Sequence, residues 1–120
     1  MRILIVDDST AMRMIVKKTL RVAGFEGHEL SEVDDGAKAL AAIKVSKPDL
    51  VLSDWNMPNM TGLQLLEALK SEGVKVTFGF VTTEATPDMR AKAIGAGAKF
   101  LISKPFTPES FKEHLGAHIR

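Results

Sequence analysis

Five short apolar runs alternate with five longer amphipathic stretches along this chain, and that alternation restricts the fold more than any other feature. Arg2–Val6, Glu29–Val33, Asp49–Ser53, Val76–Val81 and Lys99–Ser103 have the length and composition of strands, and the leucine- and isoleucine-rich ones read as buried. Between them, residues recur at helical spacing. Met12, Ile15, Val16, Thr19, Leu20 and Ala23 form the first such set, with Gly24 as its stop. Ala37, Leu40, Ala41 and Lys44 follow the turn signal Asp35-Gly36, and Leu63, Leu66 and Leu69 run to Gly73. Met89, Ala93 and Ala96 make a fourth helix, and Phe111, Leu115 and Ile119 a fifth. Thr86-Pro87-Asp88 and Thr107-Pro108-Glu109 each set an N-cap hydroxyl, a proline at the first helical position and an acid in the first turn. Gly79 is a weak point inside the fourth strand. A β-then-α order repeated five times predicts an α/β fold: one doubly wound, five-stranded parallel sheet with helices on both faces.

The 120 residues fit one domain, residues 1–120, without a linker or a second unit. The absence of cysteine excludes disulfides and thiolate metal sites and suits a cytoplasmic location. No apolar run reaches the roughly 20 residues that span a bilayer, and Met1–Asp8 turns acidic too early for a signal peptide. A net charge of +1, with basic residues scattered among acidic ones, gives no drive toward nucleic acid or an anionic membrane.

The polar residues fall at strand ends. Asp7 and Asp8 follow the first strand, Asp54 the third, Thr82 the fourth and Lys104 the fifth. In an open parallel sheet these five side chains gather at the carboxyl edge, where ligands bind. Two like charges about 4 Å apart repel by about 4 kcal/mol at an effective dielectric near 20, so three carboxylates together call for compensation. A hard divalent cation such as Mg²⁺, which takes one or two carboxylates and keeps several waters, supplies it. Lys104 and the Thr82 hydroxyl add donors for phosphoryl oxygens. A carboxylate is a competent nucleophile toward phosphorus, so the set suits phosphoryl transfer onto Asp54. Each residue alone has an ordinary explanation as a cap, a turn or a loop acid; their joint position at four strand ends does not.

Ile3-Leu4-Ile5-Val6-Asp7-Asp8-Ser9, Leu52-Ser53-Asp54-Trp55-Asn56-Met57-Pro58, Val81-Thr82-Thr83-Glu84-Ala85 and Lys104-Pro105-Phe106 resemble the signatures of response-regulator receiver domains, in the family order and over essentially the whole chain. Ser53–Gly62 resembles the CheY-like, single-domain chemotaxis regulators in particular. The resemblance implies a flavodoxin-like strand order of 2-1-3-4-5. It implies Asp54 as phosphoryl acceptor and Mg²⁺ bound by Asp8, Asp54 and the Asn56 backbone carbonyl, with Asp7 acting mostly through water. Lys104 pairs with Asp54 at rest and with the phosphoryl group afterwards. Thr82 and the Thr83 N–H bond that group, and Asn56 and Glu84 tune hydrolysis of the aspartyl phosphate. Pro105 follows a cis peptide bond. The implied partners are a histidine kinase as donor and a downstream protein on the face made by the fourth helix, fifth strand and fifth helix, with the chain a monomer that binds neither nucleic acid nor membrane.

Two positions depart from the family pattern. The aromatic switch residue three places before the lysine is Leu101 here, with Phe100 beside it. Adjacent strand residues face opposite ways, so Phe100 is no simple replacement: it is core or partner surface, and Leu101 a smaller plug. After Glu84, where motor-binding regulators carry lysines, stands Thr86-Pro87. Motor control, a phosphate sink and kinase docking therefore remain open outputs, all through protein contact, since no output domain follows Arg120. A haloacid-dehalogenase-type phosphatase is the competing enzyme, but it needs Asp-x-Asp after the first strand, where this chain has Asp7-Asp8. A receiver-like scaffold without phosphorylation has no support from the residues. Trp55 is expected beside the site, close enough for its ring to sense the cation. The methionines are expected in the core or on adaptable surface, and His114 and His118 on an exposed helix face.

Overall fold

The computed structural model describes residues 1–83 and 85–118. Its elements run β1 (Arg2–Val6), α1 (Thr10–Val22), β2 (Glu29–Val33), α2 (Gly36–Val45), β3 (Leu50–Ser53), α3 (Gly62–Ser71), β4 (Thr77–Thr82), α4 (Pro87–Gly95), β5 (Phe100–Ser103) and α5 (Pro108–Leu115). All neighbouring strands pair in parallel, in the order β2-β1-β3-β4-β5. The expected doubly wound sheet is therefore present, with strand bounds moved by at most one residue.

Strand alternation divides the core into two layers. Leu4, Val6, Val51, Phe78, Phe80 and Leu101 face α2, α3 and α4. Ile3, Ile5, Leu50, Leu52, Phe100 and Ile102 face α1 and α5. Phe78, Phe80 and Phe111 are fully buried, and each such side chain stabilises the fold by about 1.5–3 kcal/mol.

The helix starts follow their expected chemistry. The Thr86 and Thr107 hydroxyls accept from the N–H groups of Met89 and Ser110, and Pro87 and Pro108 open their helices. Asp35 is more than a turn residue: it is the N-cap of α2, accepting from Lys38 N–H at 2.7 Å.

Three expected helix faces are corrected. In α1 the buried stripe is Val16–Leu20–Ala23, and Ile15, one residue round, is exposed. In α2 Gly36, Ala39 and Ile43 are buried, while Ala37, Ala41 and Lys44 face solvent. In α3 Leu65 is fully buried beside Leu66 and Leu69, and Leu63 is only half-buried. Alanine is too small to mark a face by itself, and a run of leucines fits two adjacent faces, so only the sheet beneath decides the rotation.

Gly79 has a packing reason. It pairs with Phe100, and a Cβ at Gly79 would collide with the Phe100 ring. That ring also lies against His114 and His118, with centroids 6.3 and 5.6 Å away. Both histidines are half-buried, contrary to the expected exposed face. Met57 is buried, Met12, Met60 and Met89 are half-buried, and Met14 is exposed. The ring of Phe100 belongs to the α1–α5 layer and Leu101 to the other, as period-two alternation requires. Ile119, expected to extend the last helix, lies outside the described residues.

Candidate phosphoryl-acceptor site

The strand ladder continues one residue past β1, β3 and β5 and thereby fixes the polar edge. Asp7 N–H donates to Val33 C=O at 3.2 Å, Asp54 N–H to Val6 C=O at 2.8 Å, and Lys104 N–H to Thr82 C=O at 2.8 Å. These bonds hold the backbones of Asp7, Asp54 and Lys104 as rigidly as the sheet itself.

The side chains converge. One carboxylate oxygen from each of Asp7, Asp8 and Asp54 lies within 4.8 Å of the others. The Lys104 ammonium sits between two of them, 3.1 Å from Asp7 Oδ2 and 3.4 Å from Asp54 Oδ2. The Lys104 side chain is 9% exposed, against 5% for Asp7 and 14% for Asp54. The sequence suggested a resting pair between Lys104 and Asp54; here Lys104 bridges Asp54 and Asp7, and the Asp7 contact is the shorter. Asp7 Oδ1 also accepts from Ser9 N–H at 2.9 Å. Asp54 Oδ1 accepts from Trp55 N–H at 2.7 Å. Asp8 is exposed, and no donor among the described residues bonds its carboxylate.

Burial raises the Asp54 pKa above its ordinary value; Lys104 opposes this, Asp7 adds to it, and the Trp55 N–H opposes it. A carboxylate held this way is partly desolvated yet has one ammonium and one amide to keep it charged. Three hard oxygen donors within 4.8 Å of one another, one of them open to solvent, fit a small hydrated divalent cation such as Mg²⁺ and do not fit a soft metal.

Thr82 is fully buried at the end of β4, and Thr83 is exposed beside it. Asn56 is exposed two residues after Asp54. Glu84 lies outside the described residues. The Lys104–Pro105 peptide is cis, as expected. Leu101 is fully buried under α4, where Arg90 donates to its carbonyl at 3.3 Å. The Trp55 ring is buried, 4.8 Å from the Phe80 ring, and its backbone N–H is the donor to Asp54.

Several positioning residues escaped the sequence reading. Arg13 of α1 donates to the Asp7 carbonyl at 2.6 Å and is held by Glu32 of β2 at 2.7 Å. Ser53 is fully buried and donates to the Asp54 carbonyl at 2.8 Å. A side chain at Gly62 would strike that same carbonyl and the Phe80 ring, so only glycine lets α3 start this close to Asp54. Nothing in the spacing of Arg13 or Glu32 marks them. Gly62 carried a weak signal, a glycine at a helix start after a threonine cap.

The comparisons with known proteins agree with this geometry. The family profile described as response regulator receiver domain matches residues 3–116. The chain is 42% identical over 117 residues to chemotaxis protein CheY of Pseudomonas aeruginosa, covering 96% of this chain and 93% of that one. It is 43% identical over 117 residues to chemotaxis protein CheY-3 of Vibrio cholerae, with 96% and 88% covered. Among solved structures, chemotaxis protein CheY4 of Vibrio cholerae superimposes with a TM-score of 0.84 at 32% identity, covering 98% of each chain. Fold order, edge chemistry and full-length similarity agree: the chain belongs to the response regulator receiver family.

Proposed function

We propose that residues 1–120 act as one receiver domain in which Asp54 accepts a phosphoryl group from a histidine kinase. Receiver domains are phospho-acceptor switches and not classical enzymes, and they generally bind Mg²⁺ at an aspartate cluster. In this reading Asp8, Asp54 and the Asn56 carbonyl would hold Mg²⁺, with Asp7 acting mostly through water. The observation that carries the reading is the buried Lys104 ammonium bridging Asp7 and Asp54, beside an open Asp8 carboxylate. Bound Mg²⁺ supplies charge neutralisation for the incoming phosphoryl oxygens.

An Asp54 carboxylate oxygen forms the new O–P bond as the P–N bond to the donor imidazole breaks, and the electron pair leaves on that nitrogen. Lys104 then exchanges its carboxylate contact for a phosphoryl oxygen, and the Thr82 hydroxyl and Thr83 N–H turn to the others. Hydrolysis by water returns the carboxylate, at a rate tuned by Asn56 and Glu84. Movement of Thr82 changes the packing above buried Leu101, and the face of α4, β5 and α5 carries the change to a protein partner. The similarity to chemotaxis regulators supports chemotaxis as the pathway and the cytoplasm as the compartment. No helix among the described residues is long and apolar enough to cross a membrane. Output through a phosphate sink or kinase docking, without motor binding, is the second reading; it is favoured by the exposed Thr86-Pro87 cap, which puts no lysine at the start of α4.

The test is incubation with Mg²⁺ and acetyl phosphate, followed by intact mass. One base-labile phosphoryl adduct is expected, abolished in Asp54→Ala. An adduct that survives in Asp54→Ala, or none where a control receiver is labelled, overturns the assignment.

A further inference from the structure

The opposite edge of the sheet carries a cleft that phosphoryl chemistry does not use. It opens between the C-terminal ends of α3 and α4, where the chain enters β4 and β5, and consists of two adjoining hollows of about 520 and 630 Å³. Leu66, Leu69, Val74 and Val76 make the apolar floor of the first. Val74, Val76 and Ala96 there are half-buried, so apolar surface remains open to solvent. Lys70, Lys75 and Lys99 stand at its rim, and no acidic residue among the described ones lines it. The second hollow shares Lys70 and Ala96 and adds Lys92, with Glu67 as its one acid among the described residues.

The four lysines are exposed, and among the described residues none forms an ion pair; Lys18, Lys47 and Lys112 share that state, so what sets the four apart is their grouping round an apolar floor. Lys70 and Lys92 lie in the last turns of α3 and α4, where a cation complements the helix dipole. That explanation does not reach Lys75 and Lys99, which stand on the loops entering β4 and β5. An apolar floor inside an unpaired basic rim has complementary charge and surface for one kind of occupant.

We propose that this α3–α4 cleft binds an acidic segment of a partner protein, with an apolar side chain seated on Val74 and Val76 and flanking carboxylates on Lys75 and Lys99. The cleft is at the far edge from Asp54, so binding proceeds with or without phosphorylation.

The probe is a short fluorescein-labelled peptide of glutamates flanking one leucine, followed by anisotropy and by amide chemical shifts of the full chain. Saturable binding is expected, with shifts at Val74–Val76 and Ala96–Lys99. Lys75→Glu/Lys99→Glu should weaken it at least roughly tenfold while circular dichroism stays unchanged, and Asp54→Ala should leave it intact. Glutamine in place of glutamate, or alanine in place of leucine, should each weaken it. Equal binding by the leucine-free peptide, shifts elsewhere, no binding, or attachment of phosphatidylserine vesicles through these lysines without peptide binding would each overturn the proposal. Because phosphorylation of Asp54 is read separately, failure here leaves the acceptor assignment standing.

Discussion

Lysine appears at both ends of the sheet, and its two settings behave differently. At the carboxyl edge Lys104 is 9% exposed and fixed between Asp7 and Asp54 at 3.1 and 3.4 Å. At the amino edge Lys75 and Lys99 are exposed and carry no ion pair among the described residues. The ladder alone does not make the difference, because Lys99 N–H bonds Phe78 C=O at 2.8 Å just as Lys104 N–H bonds Thr82 C=O at 2.8 Å. Lys104 differs in that its side chain runs between the carboxylates at the ends of β1 and β3. Val74 to Lys75 form a loop before β4 begins, and their side chains meet solvent. Burial turns the same ammonium from a screened surface charge into the fixed counter-charge of a site.

The largest expected contrast comes from deleting each charge. Lys104→Ala leaves the Asp7 and Asp54 carboxylates together without their cation, and breaking a buried pair costs about 3–5 kcal/mol. Lys75→Ala and Lys99→Ala should each stay within about 0.5 kcal/mol. Urea denaturation without divalent cations measures both; equal losses at the two edges would erase the distinction. Lys104→Ala should also still take some phosphoryl group from acetyl phosphate while its partner binding stops responding.

Metal is the next lever. Mg²⁺ at 100 times its dissociation constant should stabilise the native chain by about 2.7 kcal/mol, and chelation should remove that gain. Asp8→Asn should blunt the gain, and Lys75→Glu should leave it unchanged. Thermal melts at several Mg²⁺ concentrations give the result, and a full gain in Asp8→Asn would take Asp8 out of the metal set.

The smallest effect concerns the support beneath Asp7. Hydrogen bonds from Lys17 and then Arg13 lower the Glu32 pKa below its ordinary value. A carboxyl lowered on folding stabilises fully above its unfolded pKa, about 4.3, and loses that contribution as pH falls through the lower folded value. Glu32→Gln should therefore cost less than about 1 kcal/mol at neutral pH, with the difference from the unaltered chain closing on acidification. Denaturation at stepped pH checks the sign; a gap that widens toward acid would contradict it.

Much of the acceptor edge was legible because each polar residue directly follows an apolar run. Asp7, Asp54, Thr82 and Lys104 could be placed at strand ends from period and length alone. Helix rotation was less legible. Ile15 and Val16 look equivalent in sequence, yet Val16 is buried and Ile15 exposed. The packing of the Trp55 ring on Phe80, beside the Trp55 N–H bond to Asp54, is likewise marked by no spacing. The choice depends on which face of the sheet lies beneath, and no local pattern carries that.

The order of elements, the capped helix starts and the identity of the edge residues were determined by the sequence alone, because period, proline and hydroxyl caps act over a few neighbouring residues. Tertiary structure decided the rest: that Lys104 bridges two carboxylates, that Arg13 supports Asp7, that Gly62 and Gly79 leave room for a carbonyl and a ring, and that four lysines surround an apolar floor. Some of these contacts join residues far apart in the chain, and the nearer ones, Arg13 with Asp7 and Gly62 with Asp54, form only where a helix packs back on a strand end. Their geometry is set by parallel pairing and close packing, which only the assembled sheet provides.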